Sequence, residues 1–187
     1  MKLGILGGSF NPVHLAHLVI AERAAEAAAL DRVLFVPAAV SPLKSGRDLA
    51  PAADRWAMLK LAIRGNPLFR ASDLEIRRGG VSYTIDTLRE LRRRTGAELH
   101  VVLGADAARL LPRWKSIDAV KRLARFVIVS RPGHRVRPGL PKGHIVEVPL
   151  LEISSTEIRE RVRRGLSIRY LVPGPVERHI RRKGLYA

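Results

Sequence analysis

The sequence contains no cysteine, and this absence removes several kinds of chemistry at once. None of the 187 residues is Cys, so a disulfide framework, a thiolate nucleophile and a Cys-ligated metal site are excluded. A chain that uses no disulfide bonds is typical of a reducing compartment, and we therefore expect a cytoplasmic protein.

The chain also lacks a hydrophobic segment long enough to cross a membrane. Its longest apolar-rich stretch, Leu15 to Leu30, contains charged residues, whereas a spanning helix needs about 20 consecutive apolar residues. The apolar run from Leu3 to Leu6 is too short for a signal peptide, and no small-residue cleavage site follows it. We therefore expect no membrane partner.

Acidic residues are scarce relative to basic ones. The chain has 17 Asp and Glu against 34 Lys and Arg, which gives a net charge of +17. This balance suits a phosphorylated or polyanionic partner, or it simply reflects a general abundance of Arg and Ala. The charges are spread along the chain, and no basic strand is interleaved with aromatic residues. These two features disfavour a nucleic-acid partner.

Short apolar runs alternate with longer amphipathic stretches, a pattern typical of a doubly wound α/β fold. The runs predict a mostly parallel sheet with helices on both faces, and the length predicts one domain over residues 1–187. The predicted strands are Leu3–Leu6, Val33–Val36, Phe69–Ile76, Leu99–Leu103, Phe126–Val129 and Ile145–Val148. The predicted helices are Leu15–Leu30, Ala52–Arg64, Ile85–Arg94, Ser155–Arg164 and Pro175–Lys183, and the predicted loops are Ser41–Asp48 and Arg131–Gly143.

A glycine-containing turn joins the first predicted strand to the first predicted helix. Gly7 and Gly8 would let the backbone approach a phosphate closely, and the helix start adds N–H groups and a partial positive charge. His14 and His17 lie three positions apart on one face of the first helical turn. We interpret this junction as a phosphate cradle in which both imidazoles donate hydrogen bonds. Zinc binding and a purely local structural role are the alternatives.

A second strand-to-helix junction lies near residue 155. Ser154 and Glu157 have the spacing of a capping box, so this segment is at least a well-formed helix start. Ser155, Thr156 and Arg159 add hydroxyls, amides and a guanidinium at the same point. This combination predicts a second anion site.

Together the two junctions resemble one superfamily, the nucleotidyltransferases with an H-x-x-H motif followed by an I-S-S-T-x-I-R motif. Within it the chain is most similar to the bacterial nicotinate-nucleotide adenylyltransferases, and the resemblance covers essentially the whole chain. The matching stretches are Gly7 to Leu18, Pro37 to Lys44, Val81 to Leu88, Gly104 to Trp114, Ser130 to Gly133, Ile153 to Arg159, Tyr170 to Pro173 and Ile180 to Tyr186.

The chain departs from the family pattern at three places. Asn11 stands where the family commonly has Asp, and Ala16 stands where it commonly has the Gly of H-x-G-H. The segment Ser41 to Lys44 replaces a common Pro-Pro-His-Lys.

The resemblance implies a Rossmann-like fold and the reaction of ATP with nicotinate mononucleotide to give deamido-NAD and pyrophosphate. It also implies Mg²⁺ carried by the ATP phosphates, with no metal ligands from side chains. His14, His17 and Arg159 would be the catalytic residues. The ATP-binding residues implied are Gly7, Gly8, Ser9, Phe10, His14, His17, Gly104, Asp106, Ser155, Thr156 and Arg159.

The family pattern also implies a mononucleotide site formed by Lys44, Thr84, Trp114 and Arg131. Trp114 would stack on the pyridine ring, although it could instead be a core residue. Asp106 would accept hydrogen bonds from the adenosine ribose, or could merely be an acid at a helix start. The sequence leaves open the oligomeric state, the role of Asp86 and the choice between nicotinate and nicotinamide mononucleotide.

Two other functions are compatible with parts of the sequence. Phosphopantetheine adenylyltransferase shares the H-x-x-H junction, but it lacks the stretch from Ser82 to Leu88. A basic nucleic-acid-binding module would explain the net charge, but it would not explain the two junctions.

Overall fold

The computed structural model describes residues 1–42, 49–130, 143–148 and 151–187. Its six strands form one parallel sheet in the order β3-β2-β1-β4-β5-β6. The strands are β1 (Lys2–Gly8), β2 (Arg32–Pro37), β3 (Phe69–Ala71), β4 (Glu98–Gly104), β5 (Ala124–Ser130) and β6 (Gly143–Glu147). The helices are α1 (Leu15–Ala28), α2 (Ala52–Ile63), α3 (Leu74–Arg78), α4 (Thr84–Thr95), α5 (Ala105–Ala108), α6 (Ile117–Leu123), α7 (Ser155–Arg163) and α8 (Gly174–Lys183), with a short 3₁₀ turn at Leu111–Arg113.

Alternation along the central strands divides the core between the two faces of the sheet. In β5, Phe126 and Ile128 pack on one face, while Val127 and Val129 pack on the other, because successive side chains of a strand point in opposite directions. Helices α1, α2, α7 and α8 contribute buried residues to one face, and α4, α5 and α6 contribute to the other. The predicted doubly wound α/β fold is therefore confirmed, and the sheet is parallel throughout its described strands.

The strand order places a crevice between β1 and β4. The chain leaves β1 toward β2 on one side and later returns to β4 on the other, so the strand order reverses between these two neighbours. In open parallel sheets, ligands bind outside the carboxyl ends of the strands at such a point. The segments that follow β1 and β4 are the two that contain the Gly-His junction and Asp106.

Three sequence-based expectations about the elements were wrong. The predicted strand Phe69–Ile76 ends at Ala71, and Leu74–Arg78 is helical, because Leu74 and Glu75 are buried by packing that no local pattern shows. Helices α5 and α6 were not predicted, since both are shorter than the amphipathic pattern needed to detect them. Gly143, predicted in a loop, begins β6.

The main helices otherwise agree with the prediction to within about two residues, which is the usual uncertainty of helix ends. No helix among the described residues combines the length and apolar character needed to cross a membrane. The predicted loops fall largely outside the described residues, at 43–48 and 131–142.

Candidate active site

The two predicted phosphate junctions meet at the end of β1. The Oγ of Ser155, at the start of α7, donates a hydrogen bond of 2.9 Å to the carbonyl of Pro12. Nη1 of Arg159, one turn further along α7, donates at 3.0 Å to the carbonyl of Asn11. The loop that follows β1 is therefore held against the beginning of α7, although the two are more than 140 residues apart in sequence.

His14 and His17 form a stacked pair at the start of α1. His14 is the N-cap residue, and its backbone N–H donates to Nδ1 of His17 at 3.2 Å. The ring centroids lie 3.7 Å apart with an angle of 32° between the rings. Because Nδ1 of His17 accepts this bond, a neutral His17 carries its proton on Nε2. The helix start therefore fixes both the position and the tautomer of His17.

Phe10 supports the histidine pair from within the core. Its side chain is only 1% exposed, and its ring contacts His17 edge-on, with centroids 5.0 Å apart. Phe10 also packs against Phe35 of β2 at 5.9 Å. A nucleotide at this junction would therefore meet the main chain of Phe10 and not its ring.

The side chain of Arg159 is only partly satisfied by the protein. Its Nη1 group binds the Asn11 carbonyl, whereas its Nε is buried and has no hydrogen-bond partner among the described residues. A buried guanidinium N–H left without an acceptor costs free energy. An anion bound beside Arg159 would supply that acceptor, and a phosphate oxygen is suited to it.

Ser154 caps α7, as the sequence predicts. Its side chain accepts a hydrogen bond of 3.1 Å from the backbone N–H of Glu157. Thr156, the next residue but one, is exposed at the same helix start. The helix therefore presents its first turn toward solvent beside the histidine pair, where its dipole favours negative charge.

Asn11 connects the loop after β1 to two distant segments. Its Oδ1 accepts hydrogen bonds from the backbone N–H of Ala50 at 3.0 Å and from the hydroxyl of Tyr186 at 2.9 Å. Burial raises the pKa of Tyr186, so the phenol stays protonated and donates. Where the family commonly has Asp, this chain has Asn11, whose neutral side chain accepts two hydrogen bonds.

A buried arginine holds the loops after β1 and β2 together. Arg55 of α2 is 1% exposed and donates to the carbonyls of Ser9 at 2.9 Å, Ala38 at 2.7 Å, Ala39 at 3.4 Å and Ala50 at 3.1 Å. Desolvation lowers the pKa of Arg55 from its ordinary value. These four carbonyls solvate the guanidinium in place of water and fix the backbone that follows Gly8.

A cavity of about 280 Å³ lies beside this loop, between the ends of β1 and β4. Its lining includes three of the residues predicted to bind ATP, and both of the described residues predicted to bind the mononucleotide. These are Gly7, Gly8, Ser9, Thr84 and Trp114. A Cβ at Gly7 would meet no atom within 4 Å, so a side chain there would project into open space at the cavity wall. Trp114 is partly buried and also packs against the core. This position is compatible with stacking on a pyridine ring and with a core role.

One wall of the cavity carries a buried carboxyl group. Glu75 of α3 is 6% exposed and accepts a hydrogen bond from the hydroxyl of Thr87. Burial raises its pKa, while hydrogen bonds from Thr87 and Ser82 and the charge of Arg78 partly oppose the shift. The group is therefore protonated more readily than an exposed Glu.

Asp106 and Gly104 lie at the carboxyl end of β4, as the sequence predicts. Asp106 lies in the first turn of α5, and its side chain is 75% exposed. Its Oδ1 lies 3.7 Å from Nη1 of Arg109. A Cβ at Gly104 would meet no atom within 4 Å. Lys44 and Arg131, the other two residues predicted to bind the mononucleotide, fall outside the described residues.

Three residues of the site were not predicted. Arg55 had a detectable signal, since it lies three and four positions before the buried Met58 and Leu59 on the inward face of α2. Glu75 was placed in a strand, and its helix is too short to recognise. Tyr186 reaches Asn11 across 175 positions of sequence, a contact that no local pattern indicates.

Among the described residues, no group of three His, Asp or Glu side chains is arranged to hold a metal ion. These residues therefore give no support to the zinc alternative for His14 and His17.

Comparison with known proteins agrees with this geometry. The Cytidylyltransferase-like family model matches residues 5–161. A solved structure titled as Plasmodium falciparum nicotinic acid mononucleotide adenylyltransferase complexed with NaAD superposes with a TM-score of 0.84. The two sequences are 20% identical, and the superposition covers 99% of this chain and 97% of the Plasmodium chain. This similarity establishes the fold. The parallel sheet, its two strand-to-helix junctions and the family match together define a nucleotidyltransferase of the cytidylyltransferase-like class.

Relatives with higher sequence identity show to which family within this class the chain belongs. A protein of Roseiflexus sp. (strain RS-1), named "Probable nicotinate-nucleotide adenylyltransferase", is 46% identical over 98% of this chain and 97% of its own length. A protein of the same name from Kineococcus radiotolerans is 48% identical over 97% of this chain and 89% of its own. The chain belongs to the nicotinate-nucleotide adenylyltransferases of the cytidylyltransferase-like family, as the sequence resemblance implied.

Proposed function

We propose that residues 1–187 form a single nucleotidyltransferase domain that transfers the adenylyl group of ATP to nicotinate mononucleotide. The observation that carries this proposal is the joining of the two junctions. Ser155 and Arg159 bind the carbonyls of the loop that leads to the histidine pair, and the cavity lined by Thr84 and Trp114 opens beside the same loop. This arrangement supports an anion site at the joined junctions and a mononucleotide site in the cavity, both next to the loop that follows β1.

The reaction is an in-line displacement at the α-phosphorus of ATP. An oxygen of the 5′-phosphate of the mononucleotide forms the new P–O bond, and the bond from the α-phosphorus to the bridging oxygen of the β-phosphate breaks. Pyrophosphate leaves with that oxygen. The attacking oxygen is already ionised, so catalysis requires positioning and charge stabilisation more than a strong base.

His14, His17 and Arg159 would stabilise the charge that develops on the phosphates. A neutral His17 carries its proton on Nε2, which suits donation to a phosphate oxygen. Arg159 would satisfy its buried Nε with the same triphosphate. The backbone N–H groups of Ser155 and Thr156 and the hydroxyl of Thr156 would add donors at the start of α7. The segment from Gly7 to Phe10 would offer further backbone N–H groups.

The remaining assignments concern the adenosine ribose and the mononucleotide. Asp106 and Gly104 would bind the adenosine ribose at the end of β4. Trp114 would stack on the pyridine ring, and Thr84 would lie near its carboxylate. Lys44 and Arg131 would contact phosphate from outside the described part of the chain.

Mg²⁺ would enter as part of the ATP substrate, held by phosphate oxygens. Mg²⁺ in nucleotide sites usually keeps several water ligands and is bound mainly through substrate phosphates. The ion would neutralise part of the triphosphate charge.

The decisive experiment measures pyrophosphate release from ATP with nicotinate mononucleotide, nicotinamide mononucleotide and phosphopantetheine in turn. We expect the fastest release with nicotinate mononucleotide. Release only with phosphopantetheine would replace the proposal with that sister activity. The same assay without added divalent ion, and with Mg²⁺ restored, tests the metal requirement.

A further inference from the structure

The cavity beside β1 and β4 has an uneven distribution of charge. Two of its lining residues are cationic, Arg113 and Lys115, and one is a carboxyl group, Glu75. The carboxyl group is buried, accepts a hydrogen bond from Thr87 and lies 4.0 Å from Nη2 of Arg78. The two cationic lining residues outnumber this single acidic one. The cavity is therefore electrostatically suited to a ligand with an anionic group.

Lys115 is held in a defined place at the wall of this cavity. Its Nζ lies 4.3 Å from the ring centroid of Tyr83, a cation–π distance that limits the directions its flexible side chain samples. Tyr83 is the N-cap residue of α4, immediately before Thr84. Lys115 also follows Trp114 directly in the chain. Its ammonium therefore lies at the same wall as the two residues proposed to contact the pyridine ring.

The two candidate mononucleotides differ in one group on that ring. Both carry a pyridinium charge and a 5′-phosphate, but nicotinate has a carboxylate where nicotinamide has a neutral amide. An ammonium near the ring attracts the carboxylate of nicotinate. Near the nicotinamide ring the same ammonium meets only the pyridinium charge, which repels it. A single cation can thus favour one substrate and disfavour the other.

We propose that Lys115 is a specificity-determining residue, whose ammonium favours nicotinate mononucleotide over nicotinamide mononucleotide. The inference deepens the proposed function and rests on it, because it assumes that the pyridine ring occupies the cavity beside Trp114. Tyr83 acts as the platform that keeps the ammonium at the cavity wall. Arg113 lines the same cavity and is the other cation that could attract the carboxylate.

The test is the ratio of kcat/KM for the two mononucleotides in Lys115→Gln and Lys115→Arg. We expect Lys115→Gln to lower kcat/KM for nicotinate mononucleotide about tenfold, and to leave that for nicotinamide mononucleotide unchanged or raised. Lys115→Arg keeps the charge and should keep most of the ratio. Because both substrates are measured on one protein sample, a partial loss of folded enzyme cancels from the ratio.

The matched control is Lys121→Gln, which removes the same charge from an exposed lysine of α6 that pairs with Asp118 and does not line the cavity. It should leave the ratio unchanged. A ratio in Lys115→Gln within twofold of the wild type overturns the proposal, as does an equal change in Lys121→Gln. If Arg113→Gln alone lowers the ratio, the discrimination belongs to Arg113 and the proposal for Lys115 is wrong.

The wild-type measurements separate this inference from the proposed function. Wild-type protein that uses neither mononucleotide would refute the proposed function itself. Wild-type protein that uses both with equal efficiency would leave the adenylyl transfer intact and would refute only the discrimination by Lys115.

Discussion

The hydroxyl of Tyr186 donates a hydrogen bond of 2.9 Å to Oδ1 of Asn11, across 175 positions of sequence. Asn11 in turn accepts, through its backbone carbonyl, the hydrogen bond from Arg159. The segment after α8 therefore helps to position the loop between β1 and the histidine pair. A residue far in sequence from both junctions is in this way connected to the candidate phosphate site.

Replacement of Tyr186 by Phe should weaken this connection without creating a large cavity. One neutral hydrogen bond contributes about 0.5–1.5 kcal/mol, so we expect a melting temperature lower by roughly 2–4 °C for a chain of this size. The KM for ATP should rise by roughly threefold to tenfold. Tyr170→Phe is the control, because Tyr170 is 78% exposed. Unchanged stability and an unchanged KM for ATP would show that the contact positions nothing.

His17→Ala should lower the rate of adenylyl transfer by about 10²-fold or more, as expected when one preorganised donor to a developing charge is lost. The loss of stability should be small, since His17 is only partly buried. The measurement is kcat for pyrophosphate release together with the melting temperature. His144→Ala, at an exposed position of β6, should have nearly normal kcat. Near-normal turnover in His17→Ala would remove His17 from the catalytic residues.

Trp114→Ala should act on the mononucleotide and not on ATP. Stacking on an aromatic side chain contributes about 1–3 kcal/mol per base, so the KM for the mononucleotide should rise roughly tenfold to a hundredfold. Trp114→Phe keeps a ring face and should recover most of the loss. If Trp114 is only a core residue, its truncation should cost about 3–5 kcal/mol of stability. A large fall in melting temperature with no selective change in that KM would support the core role.

Arg55→Met should destabilise the protein strongly, because it leaves four carbonyl groups without the guanidinium that binds them. Each buried carbonyl that loses its donor lowers the free energy of unfolding by about 1–3 kcal/mol. Local rearrangement will offset part of the total loss. Chemical denaturation measures the loss. Arg55→Lys should recover little, since one ammonium cannot reach carbonyls on three segments. Arg64→Met, at an exposed position after α2, is the control. Equal stability of the two Met variants would contradict this account.

Glu75→Gln should change how stability depends on pH. The pKa of Glu75 is raised in the folded protein, chiefly by burial. Its contribution to stability is therefore full below the unfolded carboxyl pKa of about 4.3 and is lost as pH rises through the folded value. Gln cannot ionise, so the melting temperature of the variant relative to wild type should increase from about pH 4 to about pH 8. A difference that is constant or falls with pH would contradict this assignment.

The sequence was sufficient to predict the architecture and the position of the two strand-to-helix junctions. Continuous apolar runs identify buried parallel strands, and a Gly-rich or Ser-Thr-rich segment between strand and helix has a local backbone signature. His14 and His17 share a helix face by spacing alone, and the stacked pair at 3.7 Å confirms that proximity. These features depend on neighbours within a few residues, so they can be recognised in the linear sequence.

Only the tertiary structure decided which distant groups support that site. Arg55 binds the carbonyls of Ser9 and Ala38, Tyr186 binds Asn11, and Lys115 lies over the ring of Tyr83. In each contact, a residue from a helix or a helix-flanking segment reaches a segment that is distant in the sequence, and only the packing of the elements brings the two together. Local propensity and periodicity describe a residue's own element, whereas burial, pKa shifts and cross-chain hydrogen bonds depend on how the elements pack.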